Sequence, residues 1–561
     1  MKSSYPSHWN VLPPAPTDYI RVAGVPPIIA QFLYNRGVEP DAINAFFTID
    51  DRLQLSPFLL PDMTQAVSRI YTALLSKERI AIYGDLDVDG VTATAVLVES
   101  LTQLGGDVIT YIPDRFSEGH GLKSAGIETL RSQGARLIIT VDCGVSDLAE
   151  TKQAQSMGID MIITDHHNPL PTLPSAVAVV DAKRQDSRYP FSELAGVGVA
   201  FKLAQALLYK HAEAQRLTEL LDLVALGTVA DMVSLTGENR RFVKDGLKVL
   251  NTTSRVGLRE MIQLAGLRQG QLDAEDISWA LGPRLNAAGR IDTATTSYRL
   301  LTTQSVTEAR ALAKELEDSN KERKSLASQA LRQAKDHLDG KFHLPLLMES
   351  DETYPVGVIG LVAGKLVNEF YRPAVIVKLD RELCRGSGRS IPEFNLVDAL
   401  TKCHDLLAAF GGHPAAAGFA IEPQNLAQLE ERLMCLAENQ LSHLDLRPKL
   451  DIDAELPLSA LAGDTLNLMR QLEPFGQGNP CPTFLSPGVE VIEHRSLGDQ
   501  GQWLSLKLKQ GDAVWRAVDF ESQKGQEEIT PMIDAVYNIG RHRWNGEEVL
   551  ELRLLDFAPS A

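Results

Sequence analysis

Between Arg79 and Asp181 the chain repeats one hydropathy pattern five times, a short apolar and β-branched run followed by a helical stretch. The runs are RIAIYGD (79–85), DVITYIPD (107–114), RLIITVD (136–142), DMIITD (160–165) and AVAVVD (176–181). Runs that are apolar at nearly every position belong to strands buried on both faces, so the spacing predicts a parallel sheet covered by helices on each side. Each run ends in an Asp or an Asp-containing turn, at the carboxyl end where open α/β sheets bind their ligands. LLDLVALGTVADMVSL (220–235) predicts a buried helix or helix end carrying Asp231.

Downstream, Ser305 and Glu308 form an S-x-x-E capping box at the head of a long charged helix reaching about His337. Ala309, Leu312, Ala313, Leu316, Leu326 and Ala330 are its sparse apolar positions, so its expected task is to join two domains. A second α/β unit follows, with strand-like LPLLMES and PAVIVKL, a Gly-rich turn RGSGRS (385–390), and a further turn in FGGHPAAAGF (410–419). The last segment alternates as an all-β domain does, through EVIEHRSLG, QWLSLKLKQ, DAVWRAVDF and DAVYNIGRHRW, with Asn545-Gly546 as a hairpin turn before EEVLELRLL. Five strands in this length predict a Greek-key barrel of the OB type. The expected organisation is an N-terminal extension packed on the first domain (1–55), an α/β parallel-sheet domain (56–250), a helical linker (251–340), a second α/β domain (341–445) and the barrel (446–561).

A composition of 44% hydrophobic, 23% charged and 6% aromatic residues excludes the disordered, collagen-like and disulfide-rich classes. No apolar stretch is long enough to span a membrane, and MKSSYPSHWN has no apolar signal core, so a cytoplasmic protein with no membrane partner is expected. The five cysteines (Cys143, Cys384, Cys403, Cys435, Cys481) are odd in number, far apart and never in a C-x-x-C pair, which predicts reduced thiols. The net charge of −18, from 55 basic and 73 acidic residues, taken alone opposes a nucleic-acid partner.

Candidate chemistry concentrates in YGDLDVDG (83–90), where Asp85, Asp87 and Asp89 alternate directly after a strand. A calcium loop of the D-x-D-x-D-G type needs a Glu at its twelfth position, and Val96 stands there within an apolar helix. Three carboxylates this close repel one another, and keeping them ionised in a partly buried site requires cations. Asp142 in TVDCG, Asp165-His166-His167 in ITDHH and Asp231 in GTVADM fall at the same sheet edge, although an isolated Asp at a strand end also serves as a helix cap. A mixed oxygen and nitrogen set suits Mn2+ or Mg2+ better than zinc, and its size suits two ions for in-line attack at phosphorus.

GDLDVDG, TVDCG, ITDHH and GTVADM, in this order and at these separations, resemble the four motifs of the DHH phosphoesterase superfamily. LGPRLNAAGR (281–290), GSGRS (386–390) and FGGHPAAAGF extend the likeness to the bacterial RecJ-type single-stranded-DNA exonucleases over roughly residues 75–560. The resemblance implies a DHH domain, a linking helix, a DHH-associated domain and an OB domain in that order. It implies Asp87, Asp89, Asp142, His166 and Asp231 as ligands of two Mn2+ or Mg2+ ions, with Asp142 as a bridge and Asp85, a further catalytic candidate, either behind them or itself a ligand. His167 matches the family's histidine facing the scissile phosphate, where it stabilises charge or protonates the leaving oxygen; the alternative is a structural histidine that orients Asp165.

The same resemblance sets Arg115 as a contact to the terminal 5′ phosphate, with a surface salt bridge as the alternative, and places a 5′-phosphate pocket at Ser387 and Arg389. His120, in IPDRFSEGHGL, stands where the family pattern leads one to expect an aromatic such as Tyr, and its role is open between base stacking and a polar contact. Arg284, Asn286 and Arg290 are placed to line a groove between domains, with a helix cap as the alternative for Asn286. His413, after two glycines, sits in a turn where a strand can pass or backbones can pack closely. In the barrel, Trp503, Trp515, Phe520, Tyr537 and Trp544 interleave with Lys507, Lys509, Arg516, Arg541 and Arg543, a mixture suited to single strands, although most of the rings are expected in the core.

The expected function is a Mn2+- or Mg2+-dependent exonuclease that degrades single-stranded DNA 5′→3′ to mononucleotides in recombination and repair. Single-stranded-DNA-binding protein and a RecQ-like helicase are the partners the resemblance implies. The rivals are a phosphoesterase for short oligonucleotides, cyclic dinucleotides or polyphosphate, and a non-catalytic strand-binding scaffold. The net charge then reads differently. Part of it lies in acids assigned to metal, and residues 371–420 hold six Lys/Arg against five Asp/Glu.

Overall fold

A five-stranded, wholly parallel sheet carries the predicted Asp-terminated runs, in the spatial order Asp107–Tyr111, Arg79–Tyr83, Ala135–Val141, Asp160–Thr164, Ala178–Val180. Alternation along each strand sends Ile80, Ile82, Leu137, Ile139 and Ile162 into one core with Val91 and Ala95, and sends Ala81, Tyr83, Ile138 and Met161 into another with Ile127 and Leu130. Both faces are therefore dry, which is why the strands read as continuous apolar runs. The computed structural model describes residues 8–48, 54–115, 117–209, 212–291, 293–461, 464–497, 503–520, 528–544 and 547–560. They form two units: Asp41–Glu322 with Gln471–Pro480, and the remainder, made of residues to Pro40, Arg323–Arg470 and Cys481 onward.

Two expected boundaries shift. Helices Val256–Leu264, Gly282–Ile291 and Thr295–Thr302, expected within a linker, bury Leu258, Met261, Leu285, Ala288 and Leu300 in the same core as the sheet. The joining element is the helix Val306–His337 alone: Ala309, Leu312, Ala313 and Leu316 enter the core of the parallel sheet, while Ala327, Ala330, Leu331 and Ala334 enter a second core. The N-terminal extension, expected on the first domain, divides at Pro40. Its strand His8–Val11 pairs in parallel with Lys449–Ile452, and Arg36 meets Asp453 at 3.3 Å, both within the second unit.

In that unit a mixed sheet runs Leu407–His413, Ala416–Ile421, Cys384–Arg389, Ala374–Lys378, Leu347–Asp351. RGSGRS, expected as a turn, is instead the central strand of this sheet, because its glycines alternate. A Cβ on Gly386 would lie 2.1 Å from the Phe419 ring and one on Gly388 2.6 Å from Leu396, so neighbouring side chains fill one face while Ser387 and Arg389 occupy the other. FGGH is likewise a strand, and the turn falls at Pro414 and Ala415. The C-terminal strands Phe484–Leu497, Trp503–Gln510, Ala513–Asp519, Glu547–Pro559 and Met532–Trp544 close into a five-stranded barrel through the pairing of the first with the last. No helix among the described residues is long and apolar enough to cross a membrane.

The segment Gln471–Pro480 precedes the barrel yet folds with the unit of the parallel sheet. The buried Arg240 guanidinium donates to the carbonyls of Leu472 at 2.9 Å, Glu473 at 2.8 Å and Gln471 at 3.1 Å, and lies 3.9 Å from the Phe46 ring centroid. Leu235 N donates to Gln477 O at 2.7 Å, close after Asp231 in the chain. Arg240→Ala strands several carbonyls, so it should destabilise that unit by about 3 kcal/mol. Denaturant unfolding with hydrogen exchange over 471–480 measures this, and an unchanged midpoint with unchanged protection contradicts it.

Candidate metal centre and phosphate sites

Each candidate ligand stands at the carboxyl edge of the parallel sheet, and the local backbone is shaped to hold it. Asp87 caps the helix Val88–Gln103, its Oδ1 accepting from Asp89 N at 3.0 Å and Gly90 N at 3.1 Å. Asp89, within the first turn, is gripped by a second helix: Gly196 N donates to its Oδ2 at 2.6 Å and Val197 N to its Oδ1 at 2.8 Å, at the N-terminus of Gly196–Leu207. A Cβ on Gly196 would lie 2.6 Å from Asp142 Cβ, so only glycine fits between the two acids. Asp142 has φ 61, a left-handed conformation that costs about 1–2 kcal/mol for a side-chain-bearing residue, while its N–H still bonds Thr164 O at 3.1 Å.

Asp165 is fully engaged. Its Oδ1 accepts from His166 N at 2.7 Å and His167 Nδ1 at 2.8 Å, and its Oδ2 from Val145 N at 2.9 Å. It holds the His167 imidazole by its Nδ1 and fixes the backbone at His166.

The donor atoms converge on His166 Nε2. Asp142 Oδ1 lies 3.0 Å away, Asp231 Oδ2 3.7 Å and Asp89 Oδ2 3.9 Å. Two trios, Asp89-His166-Asp231 and Asp142-His166-His167, place one ligand atom from each residue within 4.8 Å of the others. Among the described residues, Asp142 Oδ1 and His166 Nε2 are buried with no hydrogen-bond partner despite their proximity, an arrangement of two lone pairs that suits a cation. Burial and then the charge of Asp87 push Asp89 up to about 7, and burial and then Asp89 push Asp231 up to about 9. Asp142 is raised as well, first by burial and then by Asp89, and Asp87 first by burial and then by Asp85. Burial and the His167 charge hold His166 down at about 3, a neutral imidazole with a lone pair to give. The donor set thus fits divalent cations of the Mn2+ or Mg2+ class.

Asp87 falls outside both trios but acts on them through its charge. Asp85 is also outside; its Oδ2 lies 2.9 Å from His120 Nδ1, and its Oδ1 is buried without a partner. Burial disfavours the charged form of His167, but the hydrogen bond and charge of Asp165 outweigh it and raise the imidazole to about 9.

The remaining candidates separate. The guanidinium of Arg115 donates through Nε to Gly289 O, and its Nη1 lies 3.0 Å from His120 Nε2. Asn286 Oδ1 accepts from Val88 N at 3.0 Å, so it braces the first turn of the Asp87–Asp89 helix. Arg284 is paired with Glu317 at 2.6 Å and Ala280 O at 2.9 Å. His413 ends an exposed strand, where Gly412 at φ 143 brings the hairpin backbones together.

In the second unit Arg389 Nη1 reaches Ser387 Oγ at 3.3 Å, over the bare face of a helix where a Cβ on Gly360 would sit 2.9 Å from that hydroxyl. Burial lowers Arg389 and Arg323, and burial with the Arg323 charge lowers Lys365. Arg323 and Lys365 escape the sequence reading, as do Gly196 and Val197. The available signal was the spacing of Gly360 and Gly364 before Lys365, a helix face kept flat beside a cation.

In the barrel, Tyr537 is core and bonds Ser486 at 2.8 Å. Trp503 and Phe520 are 39% and 43% exposed, with ring centroids 5.9 Å apart. The side chains of Arg543 and Trp544 and the Asn545-Gly546 turn lie outside the described residues.

Residues 79–228 match the model of the DHH family, N-terminal domain, residues 341–437 that of the DHHA1 domain, and residues 452–556 that of the RecJ OB domain. The single-stranded-DNA-specific exonuclease RecJ of Bacillus subtilis is 38% identical over 96% of this chain and 68% of that protein. The protein of the same description from Salmonella typhimurium is 31% identical over 96% of each. Among solved structures, RecJ from Thermus thermophilus in complex with Mn2+ superposes with a TM-score of 0.83 at 31% identity, over 99% of this chain and 80% of that one. The same protein with Mg2+ gives 0.78 at 29% identity, over 99% and 79%. The order of the three domains and the extent of these matches lead to one conclusion: the chain belongs to the RecJ family of single-stranded-DNA-specific exonucleases.

Proposed function

We propose that this chain hydrolyses single-stranded DNA from its 5′ end and releases mononucleotides, using Mn2+ or Mg2+ held by Asp87, Asp89, Asp142, His166 and Asp231. The observation that carries the reading is the convergence of three carboxylates on the unpartnered His166 Nε2. Bound ions supply Lewis acidity toward phosphoryl oxygens and the positive charge that these acids need.

The chain's own groups do the rest. His167 gives its Nδ1 proton to the bond with Asp165, so its Nε2 carries a second proton that can pass to the leaving oxygen. Asp85 anchors the imidazole of His120 beside the cluster, and Arg115 offers its guanidinium to a phosphate of the strand. In the second unit Ser387 and Arg389, with Lys365 and Arg323, form a desolvated cationic patch suited to the 5′-terminal phosphate. Asn286 serves the site by bracing Val88.

Exposed Trp503 and Phe520 suit sequence-tolerant stacking, which favours a polymer over a dinucleotide or polyphosphate. The occupied ligand positions favour an enzyme over a scaffold. An enzyme restricted to single strands needs its substrate opened and kept open, so a RecQ-like helicase and single-stranded-DNA-binding protein are its partners in repair and recombination, in the cytoplasm.

Strands labelled at either end, single or duplex, with 5′ phosphate or 5′ hydroxyl, should lose label with Mn2+ only from single strands and first from the 5′ end; no release of nucleotides overturns the proposal. Asp142→Ala should lower turnover by about a thousandfold or more, and persistence of turnover removes Asp142 from the centre. His167→Ala should lower kcat by about a hundredfold or more while the Mn2+-induced rise in Tm persists, and loss of that rise would make it a ligand instead.

The carboxylate shifts give a pH signature. Asp89 at about 7 and Asp231 at about 9 bind protons in the folded state that ordinary unfolded carboxylates have already lost, so their contribution to metal-free stability falls as pH rises from about 4 to about 9. Cations replace those protons, so the Tm gain from Mn2+ should be larger at about pH 8.5 than at about pH 6. A gain independent of pH argues that these acids do not hold the ion.

A further inference from the structure

His120 bridges two groups whose roles would otherwise conflict. Its Nδ1 lies 2.9 Å from Asp85 Oδ2 and its Nε2 lies 3.0 Å from Arg115 Nη1. A carboxylate only accepts and a guanidinium only donates, so Nδ1 carries the proton and Nε2 is the acceptor. Both contacts together select one neutral tautomer. Arg115 is held at a second edge by its Nε bond to Gly289 O, and among the described residues its Nη2 makes no hydrogen bond.

The loop that delivers the imidazole is stitched on both sides. Glu118 accepts from Tyr111 Oη at 2.7 Å and Asp114 N at 2.8 Å, and Ser117 N bonds Asp114 Oδ1 at 2.9 Å. Beyond His120, Leu122 N bonds Asp147 Oδ2 at 2.9 Å. Gly119 and Gly121 flank the histidine at φ 79 and 78, conformations that turn the chain sharply on either side of it. Such a frame fixes the ring although it is about half exposed.

We infer that His120 is a positioning residue: it stands as a neutral spacer between Asp85 and Arg115 and so keeps the guanidinium available to a phosphate of the strand. The inference rests on the proposed phosphate role of Arg115. Asp85 and Asp87 both attract Arg115. Without the imidazole, a guanidinium beside Asp85 closes onto the carboxylate as a bidentate pair, satisfying both charges and withdrawing the cation from substrate. With the imidazole in place, Asp85 spends one oxygen on a neutral donor and Arg115 spends one nitrogen on a neutral acceptor. The full positive charge then remains for an anion.

The experiment compares wild type, His120→Ala, His120→Gln, Arg115→Ala and the His120→Ala/Arg115→Ala double variant. It reads KM and kcat on a 5′-phosphorylated single strand with Mn2+, and equilibrium binding of the same strand in EDTA by fluorescence anisotropy. His120→Ala should raise KM and the metal-free Kd by about tenfold with kcat changed less than about threefold. Glutamine, whose amide both donates and accepts, should restore most of the loss. On the Arg115→Ala background the His120 substitution should add nothing, because the spacer then has no cation to hold.

If Arg115→Ala raises KM but His120→Ala does not, or if the two effects add, the spacer role is wrong and the phosphate role of Arg115 stands. If Arg115→Ala changes neither KM nor Kd, the phosphate role falls and the spacer with it. Equal Tm values for His120→Gln and wild type show that any change is not misfolding.

Discussion

Mutual repulsion among carboxylates buried at one sheet edge is the constraint on which the catalytic unit depends. Asp89 and Asp142 are almost wholly buried and Asp231 is mostly so, and burial first, then the charge of neighbouring acids, pushes each toward the protonated form. A fold that held them apart would relieve the strain and lose the site. This fold holds them together with groups that tolerate negative charge. The Gly196–Leu207 helix turns its N-terminus on Asp89, Asp87 is satisfied as a cap, and Asp142 is rotated into a left-handed conformation so that its carboxylate turns inward. Glycines at 196 and 227 remove the Cβ atoms that would separate the elements; one at 227 would lie 3.0 Å from Asp89 Oδ1 and 2.3 Å from Thr92 Oγ1. The unfavourable charge that remains is a free-energy gap that a divalent cation closes, and metal affinity is its measure.

The second unit applies the same logic with the sign reversed. Arg389 is drawn down onto a helix whose Gly360 and Gly364 present bare backbone, and Lys365 and Arg323 share that neighbourhood. Burial lowers all three cations, so the charged form is held at a disadvantage that an anion would relieve. In both units the glycines have a geometric purpose: they let a charged side chain lie against bare backbone.

Much of this was legible in the sequence because two-faced burial leaves a strong trace. Runs such as RLIITVD and DMIITD fix both the strands and the edge at which their terminal acids lie, and the joining helix announces itself by Ser305, Glu308 and sparse apolar positions. What escaped depends on tertiary partners. RGSGRS carries the composition of a turn, and only Phe419 and Leu396 filling the spaces above its glycines make it a strand. Gly196 and Val197 contribute backbone N–H groups, which every residue has, so no side-chain pattern marks them as the grip on Asp89. Residues 8–40 join the second unit through a strand pairing with 449–452, more than four hundred positions away, a separation that local patterning cannot encode.

A net charge of −18 on an enzyme whose substrate is a polyanion also finds its physical place. Exposed charges farther apart than roughly 8–10 Å are screened at physiological salt, so the global sum governs only the distant approach. Contact is decided by the local sign, and the local sign is set by a few groups: the cations that the carboxylate edge would hold, Arg115 beside His120, and the cations around Ser387. An acidic surface with discrete cationic points weakens nonspecific attachment along a strand while leaving those points intact. A strand held through a few such points should lose affinity gently with salt, unlike one gripped along its backbone by a broad basic face.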